Sequence, residues 1–100
     1  MKMYILVKED TPAGFAMLAA AHVSLACYLK FKDAQEVQEW LSGKFYKVVC
    51  RVNDKEFEQA KTIADSVVLA ESALDNREIA IAFKPREEWS KFFKFIKLWK

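Results

Sequence analysis

The chain is poor in the residues that break or staple a fold: its 100 residues hold two glycines, two prolines, two cysteines and one histidine. So few glycines and prolines exclude a collagen-like or disordered polypeptide, which would also lack the 53% hydrophobic and 14% aromatic content found here. Cys27 and Cys50 each sit inside an apolar run, so they read as buried thiols of a reducing, cytoplasmic compartment rather than a disulfide framework. One histidine leaves a metal without a ligand set, and neither a metal nor a cofactor is expected. A charge excess is also missing. Sixteen basic and fourteen acidic residues give a net charge of +2, so any polyanion site must be local. Repeats, linkers and low-complexity segments are absent, and this length suits one domain able to bury its own core.

What is present is a series of apolar runs with clear punctuation. Residues 3–7 form a continuous apolar run closed by Lys8, Glu9 and Asp10, the pattern of a strand buried on both faces. Thr11 and Pro12 then suit the opening of a helix that reaches about Phe31. Residues 11–29 carry no charge and approach membrane-spanning length, yet Pro12, Gly14, His22, Ser24 and many alanines argue against a span, so no membrane is expected. Phe15, Leu18, Ala19, His22, Leu25, Ala26 and Leu29 share one helical face, while Met17, Ala20, Ala21, Ser24 and Tyr28 line a second. A helix apolar on two sides needs two covers, the second being either another element or another subunit, a first hint of a homodimer.

Asp33 with Glu36 has capping-box spacing before a short helix ended by Gly43, and Asn53 with Glu56 repeats it before Phe57, Ala60 and Ala64. Strands are predicted over residues 46–52, 67–70 and 77–83, the last two as antiparallel neighbours. Pro85 can open a final helix in which Trp89, Phe92, Phe93 and Ile96 recur at helical spacing. The expected fold is a three-layer α/β domain: a mixed four-stranded sheet with helices on both faces.

The loop from Glu9 to Gly14 follows a central strand and feeds a helix, the usual ligand position in open α/β sheets, although a plain tight turn explains it equally. Asp10 could cap that helix or bind. His22 offers an acid or base, against the alternative of a packed core histidine. Glu71 and Ser72 follow a strand that can end near the same rim, or simply belong to a polar hairpin. Lys91 and Lys94 lie among the aromatics of the basic C-terminal region, which could grip RNA or be the wet face of a core helix.

The opening strand, then Asp10, Pro12 and Gly14, and the alanine-rich helix with Ala19-Ala20-Ala21-His22 resemble the type 2 peptidyl-tRNA hydrolase superfamily. The later strands and the closing Lys97-Leu98-Trp99 look like its remaining elements in order. The resemblance implies a small dimeric α/β protein that cleaves the ester link of peptidyl-tRNA without a metal, with tRNA as partner. Where that family opens its helix with Gly-Lys-Gly-Lys, this chain has Gly14-Phe15-Ala16-Met17, and the family glutamine falls on Ala21. The family aspartate falls on Ser72, or on Glu71 with a one-residue shift, and the pattern looks like a side branch of the superfamily. The implied site is therefore rearranged: Asp10, His22 and Glu71 as candidate catalytic groups, with Gly14, Ser72, Lys91 and Lys94 binding. The alternative is a non-catalytic module for a small-molecule ligand, RNA or protein on the same scaffold.

Overall fold

The apolar run at residues 3–7 becomes strand β1 (Met3–Lys8), in which Met3, Ile5, Leu6 and Val7 are all buried. Burial of consecutive residues means that both faces of the strand are covered, and β1 is indeed central. It pairs in parallel with β2 (Lys47–Val52) and antiparallel with β4 (Arg77–Phe83). A computed structural model describing residues 1–100 gives the rest of the architecture. Helix α1 (Ala13–Phe31) and α2 (Gln35–Ser42) lead to β2; α3 (Asp54–Ala60) leads to β3 (Ser66–Glu71), which turns back into β4. A single-turn helix α4 (Phe92–Phe95) and the two-residue strand β5 (Lys97–Leu98) close the chain.

The sheet order is β3-β4-β1-β2-β5, five strands where four are expected. The addition is β5, which occupies the edge of β2 through Cys50↔Leu98 and Arg51↔Lys97. Two residues are too few to show a period, so nothing in the local sequence announces this strand. The helix expected after Pro85 also shrinks to α4. Arg86 is tied to the carbonyls of Lys84 and Ala64, and its guanidinium lies 4.6 Å from the Trp89 ring, which holds the chain in an irregular path. The aromatics nevertheless pack: Phe93 meets Phe83 at 5.0 Å and Trp89 at 4.8 Å.

Three layers result, as expected. On one face Met3, Ile5 and Val7 pack with α1 and with Val37 and Trp40 of α2. On the other, Leu6, Val52, Ile81 and Phe83 pack with Phe57, Ala60 and Phe93. Helix α1 is long and apolar enough to cross a membrane by length and composition, but here it lies along β1, β3 and β4. Its buried residues are Ala16, Ala19, Val23, Ser24 and Cys27, a stripe centred between the two faces read from the sequence. His22, Leu18, Leu25 and Leu29 are exposed instead, so the reading of His22 as a packed core histidine is corrected.

Caps divide in the same way. The Asn53 box forms in full: Glu56 N–H donates to Asn53 Oδ1 at 2.8 Å and Asn53 N–H donates to Glu56 Oε1 at 2.9 Å. Replacing Asn53 by alanine is expected to cost about 1 kcal/mol, read by urea unfolding. The Asp33 box does not form, because Ala34 is the cap and the Glu36 carboxylate instead accepts from Lys84 at 3.2 Å.

Both cysteines are buried free thiols. Burial pushes Cys27 up to about 12 and Cys50 up to about 11, from an ordinary value of about 8.5. Above about pH 8.5 the unfolded chain therefore loses these protons before the folded one does. Stability contributed by the neutral thiols should be complete at pH 7 and decline as pH rises toward 11, and at pH 8 neither thiol should react with Ellman's reagent until the protein unfolds.

Candidate active site at the sheet rim

Strand β1 stops being a strand at Lys8, but its pairing reaches one residue further, since Glu9 N–H donates to Val52 O at 2.8 Å. Thr11 N–H then donates to Lys8 O at 3.1 Å, closing a tight turn. Pro12, with φ −56° and ψ 142°, directs the chain into α1 without a side-chain cap. The first helical bond runs from Ala16 N–H to Pro12 O, so the amides of Ala13, Gly14 and Phe15 have no intrahelical acceptor. No acidic residue occupies this first turn. A side chain at Gly14 would meet nothing within 4 Å, so this position on α1 faces open space. Thr11 is 6% exposed, and its Oγ1 is buried without a hydrogen-bond partner. An orphan hydroxyl and three free amides thus share one end of the sheet.

The carboxylates arrive from the neighbouring strands. Since β3 and β1 both run antiparallel to β4, β3 ends at the same rim as β1. Glu71 is its last residue and stands opposite Arg77 in the ladder, while the Arg77 guanidinium lies 3.1 Å from the Asp10 carboxylate. Arg77 is therefore ion-paired with Asp10 and is the ladder neighbour of Glu71, whose carboxylate makes no ion pair. Ser72 opens a short 3₁₀ turn and is exposed; Asp75 and Asn76 follow with φ of 56° and 58°. Asx residues tolerate this left-handed region, and Asn76 N–H donates to Glu71 O at 3.0 Å, fixing the hairpin.

Other sequence candidates lie elsewhere. His22 is exposed on α1, about 12 Å along the helix axis from Gly14 at 1.5 Å per residue, and makes no side-chain hydrogen bond. Lys91 caps α4 and Lys94 lies within it, both exposed and without ion pairs. Arg77 and Thr11 are the rim groups that sequence reasoning missed. Thr11 was legible only as a cap, and Arg77 needs the knowledge that β4 borders β1.

None of the five main hollows is lined by Asp10, His22 or Glu71, so the rim cluster is an open surface. Two hollows flank it. One of about 320 Å³ is wholly apolar, between Val7, Ala16, Met17, Ala20, Val49 and Trp99. The other, of about 250 Å³, is polar and includes Glu9, Arg51 and Lys97. No group of three or more His, Cys, Asp or Glu side chains is placed to hold a metal ion.

The rim pair contributes little to folding. Asp10 and Arg77 side chains are 58% and 49% exposed, and such ion pairs are worth about 0–1 kcal/mol. Substitutions there are therefore expected to report on chemistry rather than on stability. Among known proteins, a family model described as Peptidyl-tRNA hydrolase PTH2 matches residues 1–89. The match takes in β1 through β4 and the whole rim, and α4 and β5 lie beyond it. No curated protein matches the chain.

Proposed function

The chain belongs to the peptidyl-tRNA hydrolase PTH2 family, and from that premise we propose that it hydrolyses the ester of peptidyl-tRNA at the rim built by Asp10, Arg77, Glu71 and the start of α1. The observation carrying this reading is the Arg77–Asp10 ion pair at the rim where β3 ends on Glu71, beside uncapped helix amides. Glu71, free of any ion pair, takes a proton from water as it attacks the ester carbonyl. Arg77 and the α1 amides stabilise the negative charge that develops, and Asp10 orients the guanidinium. The carbon–oxygen bond to the ribose then breaks, the departing ribose oxygen takes the proton back from Glu71, and the peptide acid loses its own proton to water, leaving a peptide carboxylate and a free tRNA hydroxyl. In this reading Arg77 supplies the positive charge that lysines supply where the family helix has Gly-Lys-Gly-Lys, while Gly14 keeps the approach open. Lys94 and the neighbouring Lys97 give the tRNA backbone a basic flank.

The test is peptide release from peptidyl-tRNA at enzyme in excess over substrate. Turnover above the enzyme-free rate is expected, and none at all would leave binding without hydrolysis. Phe15 and Met17 at the lysine positions favour that second reading, in which the same rim holds RNA or a small molecule.

A homodimer completes the proposal. Met17 (72% exposed), Leu18 (45%), Leu25 (58%) and Leu29 (54%) form an uncharged outer face on α1, with His22 and Ala21 among them. A second α1 packed across a two-fold axis would cover this face, and Leu25→Glu should convert a dimer into a monomer by light scattering. Two buried free thiols suit a reducing, cytoplasmic compartment.

A further inference from the structure

The apolar hollow beside the rim is left by the sequence of α1 itself. The helix lies along β1, β3 and β4, and on its β2 side the buried and half-buried lining residues are Ala16 and Ala20, whose single methyl groups fill little space. Ile5 pairs with Val49 and Val7 with Arg51, so side-chain alternation puts Val7 and Val49 on the face that α1 covers. Trp99 is the outer wall. Its N–H donates to Val49 O at 2.9 Å, which carries the β5 pairing one residue further and sets the indole against the same face. Met17, 72% exposed, stands at the mouth.

The hollow, about 320 Å³, has no charged lining group, and its one strong hydrogen-bonding side chain is the Trp99 indole. Water there finds fewer partners than in bulk, so an apolar group displaces it favourably, whereas a charged one would lose hydration without compensation. The volume is near the lower end for ligand sites and suits one large apolar side chain. Position names the occupant. Ala16, Met17 and Ala20 follow directly on the free amides of Ala13, Gly14 and Phe15, and the middle of this lining is about one helical turn, roughly 5 Å, along the axis from them. Val7 lies one residue before the end of β1, where the Lys8 carbonyl closes the rim turn. An acyl carbonyl held at those amides therefore has the hollow within reach of the side chain on its adjacent carbon.

Resting on the rim as the place that holds the ester carbonyl, we propose that Val7, Ala16, Ala20, Val49 and Trp99 form a side-chain pocket for the peptide residue esterified to the tRNA. The pocket selects large apolar residues over small or charged ones. Trp99, which lies beyond the family match over residues 1–89, thereby takes part in specificity.

The experiment uses one tRNA carrying N-acetylated leucine, glycine or aspartate in two forms: the natural ester, read by release, and an amide-linked analogue that resists hydrolysis, read by binding. For the wild type, leucine is expected to exceed glycine and aspartate by about tenfold or more, in kcat/KM for the esters and in affinity for the analogues, as burial of one such side chain predicts. Ala20→Leu fills the hollow and should abolish the preference while the glycine values stay at the wild-type level. Trp99→Ala removes a wall instead and should also lose the preference. A leucine preference in binding, with no ester released, would remove the rim as the hydrolytic centre and uphold the pocket. Equal binding of the three analogues by the wild type, no binding of any, or an intact preference in folded Ala20→Leu and Trp99→Ala would overturn it. A change of oligomeric state in Ala20→Leu by light scattering, with the leucine preference intact, would give the hollow to a second copy of the chain and overturn it equally.

Discussion

Replacing Arg77 by alanine is expected to lower kcat/KM for peptide release by about 10²–10³-fold, the usual cost of removing one preorganised group that stabilises developing charge. The fold should survive, since the side chain is half exposed and its ion pair with Asp10 is worth about 0–1 kcal/mol. That contrast makes the experiment informative. A loss of activity without a change in melting temperature assigns Arg77 to the chemistry, whereas equal activity would remove Arg77 from it. Arg77→Lys should recover only part of the loss, because a single ammonium cannot address Asp10 and substrate with the planar fork of a guanidinium.

The largest stability effect is expected at Phe83. Its side chain is fully buried, ends β4, and meets Phe93 and Trp89 edge-on at 5.0 Å and 6.2 Å. Phe83→Ala should cost about 3–5 kcal/mol in urea unfolding, from lost apolar contact and the cavity left behind. Set against a total of about 5–15 kcal/mol for a domain, this approaches the threshold of folding. The loss should be concentrated where regular structure is scarce. Residues 84–91 lack helix or strand hydrogen bonds over most of their length and are held by this aromatic cluster, so hydrogen exchange there should rise first.

The elements legible in the sequence are those with a period or a paired signal. The runs that became β1 and β4 are apolar on both faces because both strands are interior, and the Asn53 box works because its two partners are three residues apart in a helix. Helix α1 was legible as a helix but not in its rotation. A segment with no charged residue has no wet face to set its phase, so the buried stripe through Ala16, Val23 and Cys27 could not be told from its neighbours. The alternative of His22 as a packed core histidine fails for that reason.

The same distinction governs the site. Asp10 and Glu71 were legible because strand ends can be counted along the chain. Arg77 was not, because its place beside Asp10 depends on β4 lying next to β1, a long-range choice that no local spacing encodes. Strand β5 and the Lys2–Arg86 bridge share that origin: both are edges filled by distant segments.

The most direct measurement is single-turnover peptide release by Glu71→Gln beside the wild type, with circular dichroism recorded on both. Loss of the carboxylate base should slow release by about 10²-fold or more while the spectrum and melting temperature stay the same. Release at the wild-type rate by a folded Glu71→Gln protein would contradict the assignment of the rim as the catalytic centre.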